Sequence, residues 1–167
     1  MIVRELNDDE CRDLLARVEY GRLATVNQNQ PYIVPIYFAY EREYLYGFTT
    51  LGRKVEWMRA NPLVCVEVDD VVSHFHWSSV VVLGRYEELP DTPAYRDVRV
   101  QAQVRLERRV LWWQTAYAAG QVRGEFRPTD ALFYRIHIDQ ITGRRATPDS
   151  MESAVGLSSA ARPAREK

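Results

Sequence analysis

The segment Gly47-Phe48-Thr49-Thr50-Leu51-Gly52-Arg53-Lys54 concentrates more chemical capacity than any other stretch of the chain. It follows a β-like run and leads into a helical one. Two hydroxyls, a permissive glycine, two cations and the free amides of a helix start would therefore meet at one point. That set suits a phosphate: hydroxyls and N–H groups donate, the helix dipole favours negative charge, and the cations neutralise it. It is not a Walker A loop, because GxxxxGK[ST] is absent. Thr and Gly are also ordinary residues before a helix, and an Arg-Lys pair on a first turn is often solvated, so spacing alone leaves both readings open.

The lysine count sharpens the point. Of 22 basic residues, 20 are Arg; the lysines are Lys54 and the terminal Lys167. A codon bias towards Arg accounts for most of this. The alternative is that position 54 needs a compact ammonium rather than a planar fork.

Other candidates carry less. Tyr37, Phe38, Tyr40, Tyr44, Tyr46, Phe48, Trp57 and Trp77 surround the segment in sequence and could stack on a flat heterocycle, although aromatics at strand alternation usually form core. His74 and His76 would share a face on a strand, as metal ligands must, but no third ligand is apparent. There is no GxSxG, no CxxC and no Ser-His-Asp order, so hydrolase and thiol chemistry have no support.

The elements that must position these residues are legible in outline. Asn7 reads as an N-cap with Glu10 as its capping-box partner, followed by Cys11, Leu14, Leu15 and Val18 at helical spacing, with Gly21 as the stop. Leu23–Val26, Pro31–Tyr40 and Tyr44–Thr49 read as an antiparallel meander joined by polar turns at 27–30 and 41–43. Pro35 makes the second strand an edge or a bulge, with backbone groups left free for a ligand. Gly52–Asn61 reads as a short helix stopped by Asn61-Pro62. Leu63–Val68 and Trp77–Glu87 read as strands, Asp91-Thr92-Pro93 as the start of a helix running to about Ala119, and Leu132–Ile138 as the last strand. About six strands with two or three helices predict a small barrel with helices packed outside.

Length and composition set the class. The chain has 167 residues, 46% hydrophobic and 27% charged, with a formal net charge of -1, which predicts one globular domain. No apolar run approaches the ~20 residues of a membrane span, and the N-terminus shows no signal-peptide pattern. Cys11 and Cys65 are too few for a disulfide framework. A cytoplasmic protein that binds neither membrane nor nucleic acid is the simplest expectation.

The ordered blocks GRLATV (21–26), PYIVPIYFAY (31–40), YLYGFTTLGRKVEWMRANPLVCVEVD (44–69), WSSVVVLGRYEEL (77–89) and FYRIHIDQITGRR (133–145) resemble the pyridoxamine 5'-phosphate oxidase-related, FMN-binding split-barrel family, on the side of its flavin-nucleotide-binding and nitroimidazole-resistance branch. The resemblance implies a mainly β fold with helices, a six-stranded antiparallel split β-barrel over residues 1–146, and a flexible tail over 147–167. It implies a homodimer with FMN in the grooves between subunits, acting as an oxidoreductase on a small molecule. By similarity Thr49, Thr50, Arg53 and Lys54 hold the FMN phosphate, the backbone around Pro35, Ile36, Tyr37 and Phe38 lines the ring, and Trp77, Ser79 and Val80 complete the site beside the partner. Two departures stand out. Gly47 occupies a position where many relatives carry histidine, and the Arg-containing C-terminal signature of true pyridoxamine phosphate oxidases is replaced by Ile141-Thr142-Gly143-Arg144-Arg145. A non-catalytic flavin binder, or a haem- or deazaflavin-binding relative, is the alternative.

Overall fold

The structure, a computed structural model, describes residues 1–109 and 131–149. Strand β1 (Ile2–Leu6) leads into helix α1 (Asp8–Arg17), followed by β2 (Tyr20–Asn27), β3 (Gln30–Tyr37), β4 (Ala39–Glu41) and β5 (Tyr44–Thr50). Helix α2 (Arg53–Ala60), β6 (Leu63–Ser73), β7 (His76–Leu89), a 3-10 turn (Pro93–Tyr95), α3 (Arg96–Glu107) and β8 (Ala131–Thr147) complete the order. All pairings are antiparallel, in the sequence β3-β2-β6-β7-β8-β5-β4, with β1 added to the far end of β8.

The two ends of that path are joined covalently. The run expected as one strand over Pro31–Tyr40 changes partner at Phe38: its first part, β3, pairs with β2, and its second, β4, pairs with β5. The barrel therefore closes through chain continuity rather than through a complete ladder, which is what splits it. The edge expected at Pro35 is present, since β3 pairs with β2 alone. A proline that removes a ladder donor is tolerated there. Gln28 and Asn29, at φ 49° and 62°, make the β2–β3 turn, the two-residue geometry that matches strand twist.

Eight strands replace the six expected. One extra comes from the split at Phe38. The other is β1, whose five residues find their partner only at Gly143–Thr147 of β8, a pairing too distant in the chain for local pattern to signal. Helix α1 starts as expected, with both capping-box hydrogen bonds formed, but ends at Arg17 with Val18 as C-cap. Gly21 instead lies in β2, where a Cβ would come within 2.9 Å of the Glu67 carbonyl; close strand approach, not a helix stop, is what needs glycine there. The helix expected from Asp91 begins as a 3-10 turn and becomes α-helical at Arg96. Its expected continuation beyond 109 lies outside the described residues; so does the tail expected over 147–167, except that Thr147 closes β8 opposite Ile2 and Pro148 and Asp149 follow it.

The core fills the barrel and continues into a helix at each mouth. Leu23, Val66, Val68, Val80, Val82 and Ile136 point inward and are inaccessible. Leu14 and Leu15 of α1 join them from one side, Val55 and Met58 of α2 from the other. The α1 mouth holds Asp70, Tyr40 and Arg145. The α2 mouth holds Val26, Tyr32 and Glu88. A smaller cluster of Tyr46, Leu89 and Ala102 seats α3 outside the barrel. No described helix is long and apolar enough to cross a membrane.

Candidate functional site

Strand β5 delivers Thr49 and Thr50 to the mouth of the barrel that α2 covers, and only Leu51 and Gly52 separate them from the helix. Gly52 is the N-cap and offers no side-chain bond. The first intrahelical bond runs from Glu56 N–H to the Gly52 carbonyl (3.1 Å), so the amides before it have no helical acceptor. Thr49 is buried, and its hydroxyl donates only a long bond to the Thr50 carbonyl (3.3 Å).

Lys54 lies in this first turn, half-buried. Among the described residues it has no hydrogen bond and no ion pair. Burial pushes its ammonium down to about 8, with no carboxylate to oppose the shift. A desolvated cation without a counter-charge is costly in a folded chain. Here it stands beside helix-terminal amides that also want an anion. The Arg53 guanidinium lies 5.5 Å from the centre of the Tyr32 ring. The same ring meets Trp57 edge-on at 5.4 Å. Tyr32 was not singled out from the sequence; only its alternation with Val34 and Ile36 on the inner side of β3 signals that it reaches α2.

The other expected ligand residues fall elsewhere. Ile36 and Phe38 are 4% and 1% exposed and point into the core, so only their backbone can serve a ligand, while Pro35 and Tyr37 face outward. The Phe38 amide donates to the Glu19 carbonyl (3.0 Å). Ladder alternation from that bond leaves the Tyr37 N–H on the open side of the edge strand. Trp77 and Ser79 lie on the outer face of β7, whereas Val80, in the same segment, is fully buried and faces the barrel interior. The side chain of Val80 is thus excluded from a site on the outer face, because successive residues of a strand alternate.

Trp77 and Ser79 line an open groove of about 560 Å³ with Val81, Ile141, Thr142 and Arg144, bounded by β1. The Ser79 hydroxyl donates to Glu67 (3.1 Å), which with Asp69 also holds Arg22 at 2.9 Å. This groove is far from Lys54. Thr49 pairs with Leu132 and Ser79 with Arg144 on the same strand β8, a separation of about 40 Å of strand at ~3.3 Å per residue. Within one chain Thr49, Thr50, Arg53 and Lys54 lie on the strand-to-helix connection at the α2 mouth, and Trp77 and Ser79 lie at the opposite mouth.

Gly47 has a definite structural reason. It pairs with Tyr134 across β5 and β8, and a Cβ there would overlap the Tyr134 ring. Tyr134 is 1% exposed and packs on Tyr86 at 5.7 Å. The barrel interior beside Thr49 is thus filled from β8, and a histidine at position 47 does not fit. His74 and His76 straddle the β6–β7 turn, and no metal-binding group of three ligands occurs among the described residues.

A family model described as pyridoxamine 5'-phosphate oxidase matches residues 7–145. The chain belongs to the pyridoxamine 5'-phosphate oxidase family. Within reach of this family's fold, an FAD-binding protein from Mesorhizobium loti is 39% identical, with 88% of this chain and 100% of that one covered and a TM-score of 0.70. An FAD-binding protein from Mycobacterium smegmatis is 27% identical, with 87% and 100% covered and a TM-score of 0.64. A Rhizobium meliloti protein that carries no assigned function is 38% identical over 147 residues, 87% of this chain and 97% of its own length. A Bacteroides thetaiotaomicron chain named for 5-nitroimidazole resistance is 19% identical at a TM-score of 0.61, a likeness of fold alone.

Proposed function

We infer that this member of the pyridoxamine 5'-phosphate oxidase family binds a flavin, FMN, by its phosphate at the α2 mouth, in a groove shared by two copies of the chain, and uses it in an oxidoreduction of a small molecule. The observation that carries the reading is Lys54: a desolvated ammonium without a partner among the described residues, on the first turn of a helix that has no side-chain cap. A phosphate satisfies the cation, the open amides and the Thr49–Thr50 hydroxyls at once. The naming of the Mesorhizobium loti and Mycobacterium smegmatis relatives as FAD-binding supports a flavin.

The separation of the two groups supports a homodimer: a second copy related by a two-fold axis would supply its Trp77 and Ser79 beside the first copy's α2, which a single chain cannot do. Exposed Ile33 and Tyr37 on β3, and Val71 and Phe75 at the β6–β7 turn, are the apolar surface such an interface would cover. Bound flavin supplies hydride and electron transfer. The chain's own part is to neutralise the phosphate through Lys54 and Arg53 and to present the Tyr37 amide and the Trp77 ring to the heterocycle.

A second reading, FAD in place of FMN, is favoured by the names of those two relatives. The phosphate ester that Lys54 would meet is present in both. Mass spectrometry of the molecule that co-purifies separates them, and absorbance bands near ~370 and ~450 nm are expected for either. A chain that retains no flavin after purification or reconstitution overturns the reading. Stopped-flow mixing with NAD(P)H then divides an oxidoreductase, whose flavin bleaches and turns over, from a non-catalytic binder, whose flavin does not.

A further inference from the structure

Helix α2 is fastened at the end away from Lys54. Arg59, in its last turn, donates two bonds to Glu88 of β7, Nε to Oε2 at 2.8 Å and Nη2 to Oε1 at 2.7 Å. Glu88 Oε2 also accepts from the Tyr86 hydroxyl at 3.2 Å. Tyr86 is 7% exposed and packs on Tyr134, and the Tyr134 ring occupies the space over Gly47 in β5. Besides the short link through Leu51 and Gly52 and the seating of Val55 and Met58 in the core, a packed series (Gly47, Tyr134, Tyr86, Glu88, Arg59) connects the strand that carries Thr49 and Thr50 to the helix that carries Lys54.

We propose that Glu88 is a positioning residue for the anion cradle: by receiving Arg59 and Tyr86 together it fixes the tilt of α2, and so the place of Lys54 and the open amides relative to Thr49 and Thr50. This rests on the flavin-phosphate reading. The lever arm explains why the far end matters. Eight residues of α-helix span about 12 Å, so a tilt of ~5° about one end moves the other by ~1 Å. Hydrogen-bond donors lose their grip over such a distance. The Arg59–Glu88 pair is half-exposed on the Arg side, 48% against 28%, so its loss removes little of the fold's stability. Its geometry is nevertheless bidentate, which specifies orientation as well as attraction.

The test compares FMN with riboflavin, which has the same ring and no phosphate, by flavin-fluorescence titration of the full chain. Wild type is expected to prefer FMN. Glu88→Gln is expected to reduce that preference roughly tenfold, leaving riboflavin affinity unchanged, because a charge-assisted fork is lost while the side-chain shape is kept. Arg59→Lys should act in the same direction, and the exchanged pair R59E/E88R should restore most of the preference. Glu88→Gln and Arg59→Lys weakening both flavins equally, or leaving the preference intact while lowering the melting temperature, overturns the positioning role and leaves a plain structural contact. A wild type that does not distinguish FMN from riboflavin overturns the anion site itself, and this role with it.

Discussion

Helices α1 and α2 both start where a strand ends, close a mouth of the same barrel and send two or more apolar residues into the same core, yet their N-termini are built in opposite ways. At α1, Asn7 accepts from the Glu10 amide (2.9 Å) and Glu10 accepts from the Asn7 amide (3.1 Å). Asp8, Asp9 and Glu10 supply negative charge to the first turn, and Arg4 and Arg145 neutralise Glu10 from outside. At α2 the cap is Gly52, and the first turn opens with Arg53 and Lys54. Cations at a helix start work against the dipole. One terminus is self-sufficient; at the other the acidic residue of the first turn is Glu56, and no side chain caps the helix. On the proposed flavin reading, that difference separates a helix start built for stability from one built to receive an anion.

The most direct way to break the comparison is Lys54→Met. FMN affinity should fall by about 1.5–3 kcal/mol, the worth of a charge-assisted contact, read by fluorescence titration. The flavin-free variant should be more stable than wild type, because a buried unpaired charge is replaced by an apolar side chain of similar length. Lower affinity together with higher melting temperature is the signature of a residue kept for a ligand. Unchanged affinity would show that the two helix starts differ for some other reason.

Gly47→His tests the strand that feeds α2. The new side chain collides with Tyr134, and overpacking of this kind costs about 1–3 kcal/mol, measured by chemical denaturation. Gly47→His combined with Tyr134→Ala should cost less than the sum of the two single changes, because the two changes share one space. Additive losses would place the conflict with some other neighbour.

The contrast between the helices also shows what local pattern can and cannot report. The α1 start was legible in full: Asn7 and Glu10 signal each other at a spacing of three, and nothing distant is needed to complete them. At α2 the residue types were legible but their state was not. That Lys54 is desolvated is a matter of tertiary packing, and that Arg53 meets the Tyr32 ring depends on the β2–β3 hairpin, which the chain brings back from 20 residues away or more. Strand existence was readable from β-branched and aromatic runs. The exchange of partners at Phe38, and the pairing of β1 with the end of β8, were not, because both are set by how the barrel closes. Alternation along β7 sends Ser79 and Val80 to opposite faces, so Val80 can serve an outer-face site through its backbone alone.

Asn7→Ala sharpens the comparison from the other side. Loss of the cap should cost about 1 kcal/mol, a few degrees in melting temperature for a domain of this size. Flavin affinity should change far less than in Lys54→Met, since Asn7 is none of the groups assigned to the flavin. A parallel loss of binding would mean that the two mouths are coupled, through the barrel or across the proposed dimer.

The pH dependence of stability should separate the two helix starts by window, acid for one and alkaline for the other. Glu10 is held down at about 2, chiefly by its hydrogen bond from Arg4, against an ordinary value of 4.5. Its contribution is therefore complete above about 4.5 and is lost as pH falls towards 2. Lys54 is pushed from 10.5 down to about 8 by burial. Between those two values the unfolded chain holds more protons than the folded one, so stability should rise with pH across that window and the penalty should be full below it. Subtracting the urea midpoints of Lys54→Met from those of wild type between pH 7 and 10.5 isolates this slope from the tyrosines and cysteines that titrate nearby. FMN should flatten the slope, because a phosphate beside the ammonium raises its pKa again. Flavin binding near pH 8.5 should correspondingly take up a fraction of a proton, visible as a buffer-dependent binding enthalpy. Parallel curves for wild type and variant, with and without FMN, would mean that Lys54 is as well solvated as any surface lysine, and the distinction between the two helix starts would then be one of capping alone.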